Sequence, residues 1–255
     1  MHIPVSCGRL VKVESVMVCS EFMKTTIASA QKTMPSNITS ANQTTTPMTI
    51  KPKSNIMQIY ISPANHEKPY TGYSIHEWNE NKNMELVGDY LKSYLDNYDV
   101  DVYLDKADRS NGTGQYYGRP EEANRWIKEK SQSLYLALHS NAGANGGFGA
   151  YGSCAFYNSI GNAHELAQCI VTAINTILPC GSNRSQSIYK ADNTSGSAMN
   201  LGELRIPYQY SIPSVLVECA FHDNPKEAEF LIHNQKRIAE LIGHTLVSFY
   251  QLKRK

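Results

Sequence analysis

Two histidines and two glutamates, far apart in the chain, each stand where a strand pattern stops or a helix pattern begins. They are His66 in ISPANHEKPY, Glu80 in HEWNENKNMELV, His139 in LYLALHSNAG and Glu218 in PSVLVECAFHDNP. Two imidazoles and one carboxylate hold a zinc ion and leave a fourth position open for water. A further carboxylate beside that water takes its proton during attack on a carbonyl. The inventory fits metal-assisted hydrolysis. Glu218 adds its own signal, because it closes the apolar run SVLVE, where an unpaired carboxylate is costly. A metal, a nearby cation or a raised pKa would resolve that cost, and each suits a catalytic carboxylate.

These residues need a scaffold that brings them together. From Ile56 onward strand and helix patterns alternate. IMQIYI, VDVYL, GAYGSCAFY and the nearly continuous apolar runs LYLALH and SVLVECAF read as strands. MELVGDYLKSYL puts Met84, Val87, Leu91 and Leu95 on one helical face, and AHELAQCIVTAINTIL does the same with Leu166, Ile170, Ile174 and Ile177. RPEEANRWIKEK is a predicted helix with Pro120 in its first turn. Asn224-Pro225 is a good cap and first-turn pair for PKEAEFLI. A final amphipathic helix runs through Ile238, Leu241, Ile242, Leu246 and Phe249. The alternation predicts an α/β fold with a single twisted, mostly parallel sheet and helices on both faces. In such folds ligand sites gather at the carboxyl ends of strands, which is where His66, His139 and Glu218 fall.

The first 54 residues differ. SAQKTMPSNITSANQTTTPMTIKPKSN is rich in Ser, Thr, Asn and Pro, lacks a hydrophobic period, and reads as a poorly ordered extension and linker. The catalytic unit is then 55–255. The stretch LVKVESVMVC, broken by Lys12 and Glu14, makes a poor signal peptide. A net charge of +1 builds in no pull towards nucleic acid, and no apolar run reaches the roughly 20 residues of a membrane span. None of the six cysteines forms a C-x-x-C pair, so a thiolate zinc site is not expected and buried free thiols are.

PSVLVECAFHDNPKEAEFL resembles the segment around the catalytic glutamate of zinc-dependent N-acetylmuramoyl-L-alanine amidases of the amidase-3 group. LYLALHSNAG is similar to that family's strand ending in a zinc histidine, and the helix from Glu80 to Leu95 to the segment that opens with the zinc glutamate. The resemblance covers about residues 56–251. It implies one zinc ion held by His66, Glu80 and His139, with Glu218 as the base. It also implies peptidoglycan as substrate, cut between N-acetylmuramic acid and the L-alanine of the stem peptide. Arg119, Asn141, Glu203 and Arg205 are the candidate substrate contacts, while His222 is expected to pack. The chain departs from the family at its first histidine. A Gly-His-Gly turn after Asp-Pro is usual, whereas Ser62-Pro63-Ala64-Asn65-His66-Glu67 stands here, with His76 in reserve. A zinc exopeptidase, a γ-glutamyl amide hydrolase or a metal-free wall-binding module would share much of this pattern. No separate wall-binding domain is visible. The expected place of action is the bacterial cell wall, reached as a secreted autolysin or a released phage endolysin.

Overall fold

A computed structural model of the chain describes residues 56–65, 78–107, 118–143 and 149–255. His66, His76 and the N-terminal extension lie outside the described residues. The strands are β1 (Met57–Pro63), β2 (Val100–Leu104), β3 (Ser133–Asn141), β4 (Cys154–Tyr157), β5 (Ile188–Lys190) and β6 (Ser214–Phe221). The helices are α1 (Glu80–Leu95), α2 (Arg119–Trp126), α3 (Ala163–Asn175), α4 (Gly202–Gln209), α5 (Pro225–His233) and α6 (Gln235–Tyr250).

The strands form one sheet in the order β2-β1-β3-β6-β4-β5. Contacts β1–β2, β1–β3 and β3–β6 are parallel, as the sequence predicts, but β4 runs antiparallel to β6 and carries β5 with it. The link between β3 and β4 has no helix among its described residues. A parallel return needs a long crossover, usually helical, so β4 comes back reversed.

Strand alternation divides the core in two. Ile59, Ile61, Leu134, Leu136, Leu138, Val215 and Val217 face α1, α3 and α6, meeting Met84, Val87, Leu91, Leu166, Ile170, Ile174, Ile238, Ile242 and Leu246. Tyr60, Tyr135, Ala137, Phe156 and Leu216 face the other way, towards Ala123 of α2 and Leu204 of α4. Among the described residues the second face carries two eight-residue helices, and that thin cover leaves room for a cleft. On the thicker face Gly243 lets α6 lie against α1, since a Cβ there would stand 2.4 Å from the Tyr94 ring.

The caps follow the sequence. Asn79 accepts from the Lys82 backbone N–H, fixing the start of α1 at Glu80, and Asn224 caps α5 with Pro225 in its first turn. One helix boundary shifts. α2 ends at Trp126, short of Lys130. Two elements, β5 and α4, carry little periodic signal: β5 spans three residues, and α4 begins at Gly202 and holds Pro207, which lacks the N–H of an interior helical residue. Among the cysteines, Cys154 and Cys219 are buried free thiols, whereas Cys169 is disulfide-bonded. Among the described residues no helix is long and apolar enough to cross a membrane.

Candidate active site

The alternation that builds the thinner face also builds the site. Tyr135, Ala137 and His139 of β3 share a face, as do Leu216 and Glu218 of β6, and the register sets His139 directly beside Glu218. β3 and β6 slip register between His139 and Asn141, so the regular ladder ends where the cleft begins. Glu80 arrives at the same place from the first residue of α1. Glu203 comes down from α4.

His139 is gripped on both ring nitrogens. Its Nδ1 lies 3.0 Å from Glu80 Oε1 and its Nε2 lies 3.0 Å from Glu203 Oε2. Glu80 Oε1 also accepts the Ser140 backbone N–H at 3.0 Å. Glu203 Oε1 accepts from Tyr135 Oη at 2.7 Å and Ser62 Oγ at 2.9 Å. Burial disfavours the charged imidazole, but the hydrogen bonds and charges of Glu203 and Glu80 outweigh it and raise the His139 pKa well above the usual histidine range.

Glu218 differs at one oxygen: its buried Oε2 has no hydrogen-bond partner among the described residues. Burial, with the negative charges of Glu80 and Glu203 adding to it against the opposing pull of His139 and Arg184, pushes its carboxyl up to about 7. Among the described residues the site therefore gathers three carboxylates around the His139 imidazole, an environment that a divalent cation would neutralise. The donor set of Glu80 and His139 suits zinc. Among the described residues no group of three His, Cys, Asp or Glu side chains is arranged to hold a metal, and the further ligand that the resemblance nominates, His66, lies outside them.

The cleft has a volume of about 670 Å³ and is lined by Glu80, His139, Asn141, Glu203, Arg205 and Glu218, with Phe156, Met199 and Leu216 supplying apolar wall. Six of the eight residues singled out from the sequence thus meet in one place. Arg119 does not. It is 1% exposed and holds the Pro63 carbonyl, Ser62 Oγ at 3.3 Å and Asp105, whose Oδ2 lies 3.7 Å from Nε. Its place is behind the site, where it braces β1, and not in the cleft as a substrate contact. Sequence reasoning missed Ser62, Tyr135 and Asp105, which build this layer. Their only sequence signal was a polar residue on an otherwise apolar strand. His222 reaches the cleft wall and lies 2.9 Å from Ser140 Oγ through Nδ1.

The same charges set a pH dependence. Glu227 is buried and bonds the backbone N–H of Gly152 at 2.8 Å and of Phe221 at 2.7 Å, tying the entry of β4 to the end of β6. Burial outweighs those bonds and raises its pKa to about 7. Glu218 and Glu227 thus both hold protons in the fold that the unfolded chain releases near 4.5. His139 likewise keeps its proton above 6.5. The native state then binds more protons than the unfolded one, so stability falls as pH rises. The expected result is a denaturation midpoint, measured in chelator, that drops between pH 4.5 and about 7 and continues to fall above 6.5 as His139 titrates. A midpoint that climbs across this window would refute it.

Residues 59–247 match the family model described as N-acetylmuramoyl-L-alanine amidase. No curated protein matches the sequence. Among solved structures the chain is similar to the N-acetylmuramoyl-L-alanine amidase AmiC2 of Nostoc punctiforme, with 19% identity and a TM-score of 0.60 over 77% of this chain and 98% of that one. It is similar to an N-acetylmuramoyl-L-alanine amidase from Clostridium difficile 630, with 21% identity and a TM-score of 0.60 over 78% and 98%. A third likeness is to the CwlD amidase of Clostridioides difficile, solved with the GerS lipoprotein, with 18% identity and a TM-score of 0.57 over 77% and 99%. At these identities the structures speak to the fold.

Proposed function

Because the chain belongs to the N-acetylmuramoyl-L-alanine amidase family, and so is a peptidoglycan amidase acting at the cell wall, we propose that its hydrolysis depends on one zinc ion held by Glu80, His139 and His66, with Glu218 as general base. Zinc so held would supply a Lewis acid for the scissile carbonyl and lower the pKa of water to about 7.

The remaining work falls to the side chains. Glu218 accepts the proton of the attacking water and returns it to the amine of L-alanine as the amide bond breaks. Its buried Oε2 can hold that proton away from bulk solvent between the two steps. Arg205, half-buried in the cleft wall, would pair with a stem-peptide carboxylate, and Asn141 would hydrogen-bond a substrate amide. In this reading the chain is a wall-degrading lysin, an autolysin or phage endolysin delivered by secretion or release.

One observation supports the reading most directly: the unpartnered Glu218 carboxylate oxygen, buried beside His139. The test is the metal content of the purified chain together with digestion of peptidoglycan, with and without chelator. The expected result is about one zinc per chain and chelator-sensitive release of stem peptides carrying a free L-alanine amine. Release of the same peptides by metal-free protein at an undiminished rate would overturn the zinc dependence.

A further inference from the structure

Glu203 stands as close to His139 as Glu80 does, and the two carboxylates grip opposite edges of the ring. Only one of them need be a metal ligand, and their surroundings differ. Both oxygens of Glu203 are bonded within the protein, Oε1 to Tyr135 and Ser62, Oε2 to His139. The residue is 1% exposed. Its partners are themselves fixed. Tyr135 stacks on Tyr60 with ring centroids 5.6 Å apart, Tyr60 Oη donates to Asp105 at 2.5 Å, and Ser62 Oγ lies 3.3 Å from the Arg119 guanidinium. The carboxylate is thus anchored through β1, β3 and α2.

Resting on the zinc reading above, we propose that Glu203 is the positioning residue of His139: it accepts the Nε2–H, fixes the ring orientation and tautomer, and so presents Nδ1 on the side of Glu80, where the metal is held. A ligating histidine generally gives its second ring N–H to a carboxylate or carbonyl, and loss of that outer partner costs about 10- to 100-fold in metal affinity. The Asp105–Arg119–Ser62 chain holds Glu203 in turn. This gives Arg119 a role two bonds removed from the cleft that its sequence position suggested.

The test titrates zinc into the full chain against a chromophoric chelator. For Glu203→Ala the expected result is binding about 10- to 100-fold weaker than wild type, still at one ion per chain. Glu203→Gln keeps the volume and can accept the same Nε2–H, so it should recover part of the loss, and it carries the test should the alanine variant fail to fold. Nitrogen NMR of the zinc-loaded chain adds a readout that general destabilisation would not move. The His139 ring should be a single Nε2–H tautomer in wild type and a mixture in Glu203→Ala. Wild-type zinc affinity in both variants would overturn the inference. So would loss of the ion in Glu203→Ala alongside its retention in Glu80→Ala, which would make Glu203 the ligand. A wild-type chain that takes up no zinc would instead sink the zinc reading itself.

Discussion

Glu218→Gln is expected to keep the wild-type zinc content and to lose roughly a hundred- to ten-thousand-fold in the rate of amide hydrolysis, the span that general acid–base groups typically contribute. The substitution is nearly isosteric, so the cleft keeps its shape while the base disappears. It also removes a carboxylate whose ionised form burial disfavours, so the metal-free variant should be no less stable than wild type. The pH profile supplies a second reading. Activity needs Glu218 ionised, so the wild-type rate climbs with pH as the carboxyl loses its proton. That loss centres at about 7 in the metal-free site, and a nearby cation would draw it lower. The glutamine variant should lack this limb. Near-wild-type turnover in Glu218→Gln would exclude it as the base.

His139→Ala should be the more drastic change, because it removes a proposed zinc ligand and the imidazole that lies between the buried carboxylates of Glu80 and Glu203. Zinc binding and turnover are expected to disappear together. In the metal-free state Glu80 and Glu203, each about 1–2% exposed, would face each other without the imidazole. Breaking a buried charge pair by deleting one partner costs about 3–5 kcal/mol, so unfolding in denaturant with chelator present should begin well before wild type. Gln in place of Glu218 should show no such shift, which separates the two residues by stability as well as by activity. Retention of stoichiometric zinc by His139→Ala would place the metal elsewhere.

How much of this was legible beforehand depends on the range of the interaction. The elements that buried a periodic face were readable, because burying Met84, Val87, Leu91 and Leu95 on one stripe requires a helix and the apolar run at 134–138 requires a covered strand. The cap at Asn224 was readable for the same local reason. α4 was not: a glycine at its first position and a proline inside leave it no local preference, and it is helical because Leu204 and Ile206 are buried. Its placement then brings Glu203 to His139 across 64 residues of sequence.

The site divides along the same line. The residue types that can do hydrolytic chemistry, and the strands and helix that carry them, are written in the local pattern of the chain, since apolar alternation fixes which face His139 and Glu218 share. Their surroundings came from long-range contacts. The β3–β6 register made His139 and Glu218 neighbours, the descent of α4 turned Glu203 from a candidate substrate contact into a partner of the imidazole, and burial moved Arg119 from the cleft to its foundation. Hydrophobic pattern is written every two to four residues along the chain, whereas the hydrogen bonds that give a carboxylate its role join residues distant in sequence and exist only once the sheet has closed.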